Sequence, residues 1–273
     1  MPTFESSTPL GIIVAAPGRA GGALAIAAEL AGHRIVGVIS RNGAFSDRFE
    51  QLSYDTRLPA ADLLVIATRD DHIEPTAARL APFSEEVGAT VHLSGFKSIA
   101  ALEAFARLGI GIGSFHPLQS LPDAETGARA LTGAWAGVTA AGPLFGRLED
   151  LATSLGMIPF PLPDSAKPVY HAAAAAASNY VTAALHLAEA LLGAVSVPFA
   201  AVEPLTRTVV ANAFIEGPQR ALTGPIARHD WDTLRGQLEA IKAVDLIRAQ
   251  QFRLLAEATA ITAGTTLPED LRE

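Results

Sequence analysis

The sequence contains no cysteine, which removes disulfides, thiolate nucleophiles and sulfur-ligated metals at once. Basic charge is also scarce. Lys and Arg total 20 against 28 Asp and Glu, a formal net charge of −8, whereas a nucleic-acid backbone asks for a cationic surface. No nucleic-acid partner is therefore expected. The N-terminal MPTFESSTP has no basic region followed by an apolar core, so no signal peptide is expected. The most apolar stretch, residues 172–192, is interrupted by Asn179, His186 and Glu189, as suits a packed helix better than a membrane span. These two readings give a cytoplasmic location. His33, His72, His92, His186 and His229 show no ligand spacing and no HExxH, so no metal is expected. A GxSxG nucleophile elbow and a Walker-type loop are likewise missing.

What is present begins at residues 11–15, a short apolar run of the kind buried on both faces of a sheet. Ala16-Pro17-Gly18-Arg19-Ala20-Gly21-Gly22 breaks it, and residues 23–31 carry the Ala/Leu/Glu content of a helix. Gly32 is a stop signal, and residues 34–40 form a second β-branched run. This βαβ unit is the module that lays a dinucleotide pyrophosphate on a helix N-terminus. Ala16 stands where its fingerprint has the first glycine.

Further strands are predicted at residues 62–68, 90–94, 110–115, 136–140 and 157–161. Helices are predicted between them, with a short helix near 45–52 and a long polar connection over 118–134. A Pro/Asp/Ser linker at Leu162-Pro163-Asp164-Ser165 ends this pattern. Beyond it only helices are predicted, at 169–193, 203–216, 230–243 and 245–262. The expectation is an α/β chain: a doubly wound parallel sheet over 1–162, then an all-helical domain over 163–273. The alanine run at 172–177 would allow close helix contact, inside the domain or in a homodimer.

The second predicted strand ends in Ser40-Arg41-Asn42, where an NAD-specific site would carry a carboxylate. A guanidinium and a hydroxyl there suit a 2′-phosphate, so NADP(H) is the expected cofactor. Gly18, Arg19, Ala20, Gly21, Thr68 and Asp70 complete the expected cofactor set, although Asp70 or Asp71 would also serve as a helix cap.

Three groups of polar residues could carry chemistry. Ser94-Gly95-Phe96-Lys97 follows the fourth main strand, and Ser114-Phe115-His116-Pro117-Leu118-Gln119 follows the fifth. Carboxyl ends of parallel strands meet ligands, and His116 could exchange a proton there. The third group is Lys167, His171, Ser178 and Asn179 on the first helix of the second domain. Their spacing gives them one face, although Pro168 disfavours helical geometry at Lys167. Lys167, His116, Asn179, His171 and Ser94 are the catalytic candidates, with Gln119 and Arg228 for a substrate carboxylate. Asp230 reads as an N-cap.

Four motifs give the chain a family resemblance: Gly18-Arg19-Ala20-Gly21; Gly113 to Gln119; Lys167 with Tyr170 to Ala174 and Ser178-Asn179-Tyr180; and Gly224 to Asp230. In that order they resemble Rossmann-like oxidoreductases whose C-terminal half is a domain of unknown function of the 6-phosphogluconate-dehydrogenase C-terminal type. The resemblance implies hydride transfer between NADP(H) and a small 2-oxo acid or related carbonyl or imine in an interdomain cleft. Some members are similar to an alternative ketopantoate reductase, which makes ketopantoate the first candidate substrate. More distant relatives include pyrroline-5-carboxylate reductases, β-hydroxyacid dehydrogenases and prephenate dehydrogenases. The alternatives are an oxidising dehydrogenase of the prephenate type and a non-catalytic NADP(H) sensor, whose polar residues would fail to converge.

Overall fold

The computed structural model describes residues 8–272, so most of the segment read for a signal peptide lies outside the described residues. The chain divides into two compact units, one ending at Ala175 and the other starting at Ala176. The Pro/Asp/Ser linker and the helix that follows it thus belong to the first unit.

In the first unit, β1 (Gly11–Ala15), α1 (Arg19–Leu30) and β2 (Arg34–Ile39) follow the predicted order. After them come β3 (Gln51–Leu52), β4 (Leu63–Ile66), α2 (Ile73–Leu80), β5 (Ala89–His92) and α3 (Glu103–Ala106). The remainder is β6 (Gly111–Leu118), α4 (Ala124–Ala130), β7 (Trp135–Ala140), α5 (Pro143–Ser154), β8 (Ile158–Pro161) and α6 (Lys167–Ala175). The sheet order is β3-β2-β1-β4-β5-β6-β7-β8. Both faces are covered, which is why its strands read as unbroken apolar runs. On β1, Ile12 and Val14 enter one core while Ile13 and Ala15 enter the other.

Several expectations are corrected. The predicted helix near 45–52 is a set of turns leading into β3. The polar connection 118–134 contains α4, capped by the Asp123 side chain on Thr126 N. The sheet is not wholly parallel either: β7 runs antiparallel to β6, and β8 follows β7. Strand direction is set by long-range pairing and leaves no mark on local periodicity.

The largest correction concerns β6. It does not stop before His116 but continues through His116-Pro117 to Leu118, with His116 opposite Gly137 on β7. Its pairing with β5 ends at Ser114, opposite His92. Residues 115–118 therefore form an overhang with one neighbouring strand. A proline lacks the N–H that a two-sided ladder needs, so Pro117 is tolerated there.

In the second unit, a π-helical turn (Ala176–Tyr180) leads into α7 (Val181–Ala194). It is followed by α8 (Glu203–Glu216), α9 (Pro218–Ala221), α10 (Trp231–Lys242) and α11 (Leu246–Thr262). Asp230 caps α10 through Thr233 N, as the sequence predicts. Ile226, Leu234, Leu238, Ala256 and Ala260 form the centre of a small core. Among the described residues no helix is long and apolar enough to cross a membrane.

Candidate active site and cofactor cavity

The order of strands along the sheet reverses between β1 and β4, and this switch point is where open α/β sheets bind ligands. A cavity of about 440 Å³ lies there. Its walls are Ala16, Pro17 and Gly18 after β1, Ser40, Arg41 and Asn42 after β2, and residues 67–69 after β4, with Tyr54, His72 and Thr76 closing the sides. Of the expected cofactor residues, Gly18, Ser40, Arg41, Asn42 and Thr68 line this cavity. Arg19 is exposed at the start of α1 and Ala20 is half-buried beside it.

Three observations test the cavity against a dinucleotide, and all three fit. First, Ala16 adopts φ +59°, the left-handed conformation of the fingerprint's first glycine. Alanine reaches that turn at a cost of about 1–2 kcal/mol. Second, Gly18 is the cap residue of α1 and no side chain caps the helix among the described residues, leaving its first N–H groups for an anion. Third, the Thr68 hydroxyl is buried at the cavity wall without a hydrogen-bond partner among the described residues.

Gly21 does not line the cavity but makes it possible. A Cβ at this position would lie 2.5 Å from the Ala67 Cβ and 3.2 Å from Val14, so only glycine lets α1 rest on β1 and β4. Gly21→Ala is expected to cost about 1–3 kcal/mol of stability and to weaken dinucleotide binding. A urea titration and a fluorescence binding titration check the two effects.

Two expected roles change. The position of Ser40 suits a donor to a 2′-phosphate, but its hydroxyl donates to Asn42 Oδ1 at 2.7 Å and accepts from Ala44 N at 2.9 Å. The pair builds a tight turn of the kind short polar side chains favour, leaving Arg41 exposed at the cavity. Neither Asp70 nor Asp71 caps a helix. Arg69 occupies the cap position with no side-chain bond, and Asp71 pairs with His72 Nδ1 at 2.9 Å.

A second cluster lies further along the carboxyl rim of the sheet. Strand register aligns Ala15, Ile66, His92 and Ser114 on β1, β4, β5 and β6. Three strand spacings separate the ends of this row, about 14 Å. Lys167, at the start of α6, donates from Nζ to Ser114 Oγ at 2.5 Å. Its side chain is fully enclosed, and the backbone is helical (φ −54°, ψ −42°) in spite of Pro168. Proline fits a helix's first turn, where its missing N–H has no partner to lose.

Two residues beyond Ser114 on the same strand face, His116 Nδ1 is hydrogen-bonded to Tyr170 Oη at 2.7 Å. The His171 ring meets His116 at 6.2 Å and Phe96 at 6.1 Å between centroids. Gly95 packs on the other ring edge, where a Cβ would fall 2.7 Å from His116 Nε2. His116 and Tyr170 are half-buried, and His171 is exposed.

Burial decides the charges. It pulls Lys167 down to about 8, against an opposing pull from the Asp164 and Asp70 carboxylates. Burial, then the neighbouring His171 and Lys167, lowers His116 to about 4. Burial lowers His92 to about 3 and raises the Tyr170 phenol to about 12. At neutral pH Lys167 is therefore a cation beside the neutral imidazoles of His92 and His116 and the neutral Tyr170 phenol.

Ser94, Gln119, Asn179 and Arg228 stand differently. Ser94 Oγ accepts from Phe96 N and Lys97 N, organising its own loop. Gln119 is exposed and ties Ser120 N to the Ala130 carbonyl. Asn179 is exposed in the π-helical turn, whose wider spacing ends the same-face relation drawn from α-helical periodicity for Ser178 and Asn179. Arg228 ends a 3₁₀ turn of the second unit. Sequence reasoning assigns no role to Tyr170 or Ser114, although the two-residue strand period pairs Ser114 with His116 and helical spacing puts Tyr170 beside Lys167. Asp164 leaves no signal beyond its place in the linker.

Residues 134–259 match a family described as a domain of unknown function, DUF2520. The matched segment opens just before β7 and takes in Lys167, Tyr170 and His171, while His116 and the cavity at the switch point precede it. No curated protein matches the sequence.

Among solved structures, BF3122 from Bacteroides fragilis, provisionally named an NADP oxidoreductase, is 21% identical with a TM-score of 0.79. The match covers 93% of this chain and 98% of that one. Protein TM1727 from Thermotoga maritima is 19% identical with a TM-score of 0.68, over 92% and 98% of the two chains. An imine reductase from Myxococcus stipitatus, a variant in complex with NAD+, is 16% identical with a TM-score of 0.60, over 97% and 98%. The chain shares the fold of these proteins: a Rossmann-type sheet followed by helices.

Proposed function

We propose that the chain is an NADP(H)-dependent oxidoreductase that reduces a C=O or C=N bond of a small molecule. A 2-oxo acid, ketopantoate first among them, and an imine are the candidate substrates. The observation that carries the reading is one row of strand ends with the switch-point cavity at one side and a buried ammonium at the other. The β4–α2 loop joins the two: Thr68 and Arg69 line the cavity, and the charge of Asp70 acts on Lys167. A sensor would have no use for this convergence. The name of BF3122 and the NAD+ in the Myxococcus stipitatus enzyme support the cofactor class.

A bound nicotinamide supplies the hydride. The first N–H groups of α1 and the Arg41 guanidinium would hold the phosphates, and the Thr68 hydroxyl would face the bound cofactor from the cavity wall. His116 and Tyr170, half-exposed and bonded to each other, orient the substrate oxygen or nitrogen and pass it a proton. Lys167 lies behind them, enclosed on Ser114, and its fixed positive charge favours the negative charge that develops as the bond is reduced.

The test is NADPH consumption with a panel of 2-oxo acids and cyclic imines. Turnover with at least one class, and faster with NADPH than NADH, is expected. Tight NADPH binding without turnover would return the protein to the sensor class, and no binding would end the reading.

A homodimer through the helical unit belongs to the same proposal. Helix α8 buries none of its residues, and Leu205, Phe214 and Ile215 are 63%, 87% and 79% exposed. A short helix is stabilised mainly by its packed face, so one supplied by a second copy suits α8. Sedimentation velocity reads the mass.

A further inference from the structure

We infer that Asp164 is a positioning residue for Lys167: its carboxylate fastens the first turn of α6 to the turn after β5 and so fixes where the ammonium meets Ser114. The effect on turnover rests on the function proposed above; the placement of Lys167 does not.

Asp164 opens the 3₁₀ turn Asp164–Ala166 that runs directly into Lys167. One carboxylate oxygen accepts from Ser98 Oγ at 2.5 Å and the other from Ile99 N at 3.0 Å. Both are charge-assisted bonds to residues far away in sequence, the stronger class of hydrogen bond. Ser98 is itself held from below. Its carbonyl accepts from Nε2 of the buried His92 at 3.3 Å, and His92 Nδ1 accepts from Ser94 N at 3.1 Å, which fixes the ring as the Nε2–H tautomer.

His92 pairs with Ser114 across β5 and β6, and Ser114 holds Lys167. The links close a ring: Lys167 to Ser114, across the sheet to His92, up to Ser98, across to Asp164, and back through the backbone to Lys167. The start of α6 is thus pinned to two adjacent strands. One pin is a hydrogen bond to the ammonium, the other a pair of bonds to the carboxylate one turn before it.

Charge acts in the same direction. The groups that act on Lys167 are the carboxylates of Asp164 and Asp70, which favour the ammonium, while His92 and His116 stay neutral beside it. Asp164 therefore does two things that a structural carboxylate at the surface would not do together. It sets a distance, and it opposes part of the burial that drives the proton off.

The sequence makes the test direct, because the chain has three lysines, Lys97, Lys167 and Lys242. In protein labelled with ¹³C-lysine, the Lys167 Cε signal is followed against pH by NMR in wild type, Asp164→Asn and Ser98→Ala. Asp164→Asn keeps an acceptor for Ile99 N and removes the charge; Ser98→Ala keeps the charge and cuts one tether. In Asp164→Asn the midpoint is expected to fall by about one pH unit, and the alkaline limb of the turnover profile to move with it. In Ser98→Ala the midpoint is expected to stay within a few tenths of wild type while kcat falls several-fold and KM for NADPH holds.

An unchanged Lys167 midpoint in Asp164→Asn would overturn the inference. A midpoint that shifts while the turnover profile stays put would leave Asp164 in place and remove Lys167 from the chemistry.

Discussion

Lys167→Met is expected to abolish at least about 99% of turnover, a factor of 10² or more, without a loss of folding stability once Ser114 is changed with it. A fully buried ammonium costs solvation energy that its bond to Ser114 and the neighbouring carboxylates only partly return. Methionine fills a similar volume with no such cost. The single variant strands the Ser114 hydroxyl, a penalty of about 1–3 kcal/mol, so Lys167→Met/Ser114→Ala is the cleaner comparison. Its Tm is expected to equal or exceed that of the wild type.

The pH dependence separates the two proteins further. Lys167 titrates near 8 in the folded chain against 10.5 for an unperturbed lysine. Between those values the unfolded chain binds more protons, so wild-type stability rises with pH across that window. Below about 8 both states are protonated and the full penalty remains. The double variant lacks this rise. Urea midpoints measured from pH 7 to 10.5 decide the point, and parallel curves for the two proteins would show that Lys167 is not the enclosed cation described here.

Arg41→Ala is expected to weaken NADPH binding by about 10- to 100-fold while leaving NADH within a few-fold, so that the cofactor preference collapses. Bonds from a guanidinium to a phosphate contribute about 1.5–3 kcal/mol. Arg41 must supply them largely alone, because Ser40 is committed to Asn42 and Ala44. Ser40→Ala should act differently, loosening the turn and weakening both cofactors alike. Isothermal titration with each dinucleotide distinguishes the cases. Equal losses for NADPH and NADH in Arg41→Ala would mean that the guanidinium does not read the 2′-phosphate.

Features encoded by near neighbours are legible in the amino-acid sequence alone. The β1–α1–β2 unit, the limits of α8 and the cap at Asp230 all follow from periodicity, propensity and capping chemistry within a few residues. Features that depend on distant partners are not. Nothing local records that β7 reverses, so the overhang carrying His116 reads as a strand end. The π-helical turn reads as ordinary helix because its alanines and Ser178-Asn179-Tyr180 suit either spacing. Ser40 resembles a phosphate donor because its proton's true acceptor lies two residues on. Lys167 and His116 are legible as candidates, whereas their partners Ser114 and Tyr170 become visible only when register and helix placement bring each pair within 2.7 Å.

The buried and half-buried imidazoles of the first unit have a consequence for acid. Burial holds His33, His92 and His116 below the ordinary value of 6.5, His92 near 3 and His116 near 4. As pH falls through 6.5 the unfolded chain gains protons that the folded chain refuses, so each ring withdraws support from the native state. This loss starts well above the range where carboxylates titrate. A mildly acidic compartment would thus weaken the fold from both ends of its sheet, through His33 beside the start of β1 and through His92 and His116 at the strand ends where the chemistry is proposed to lie.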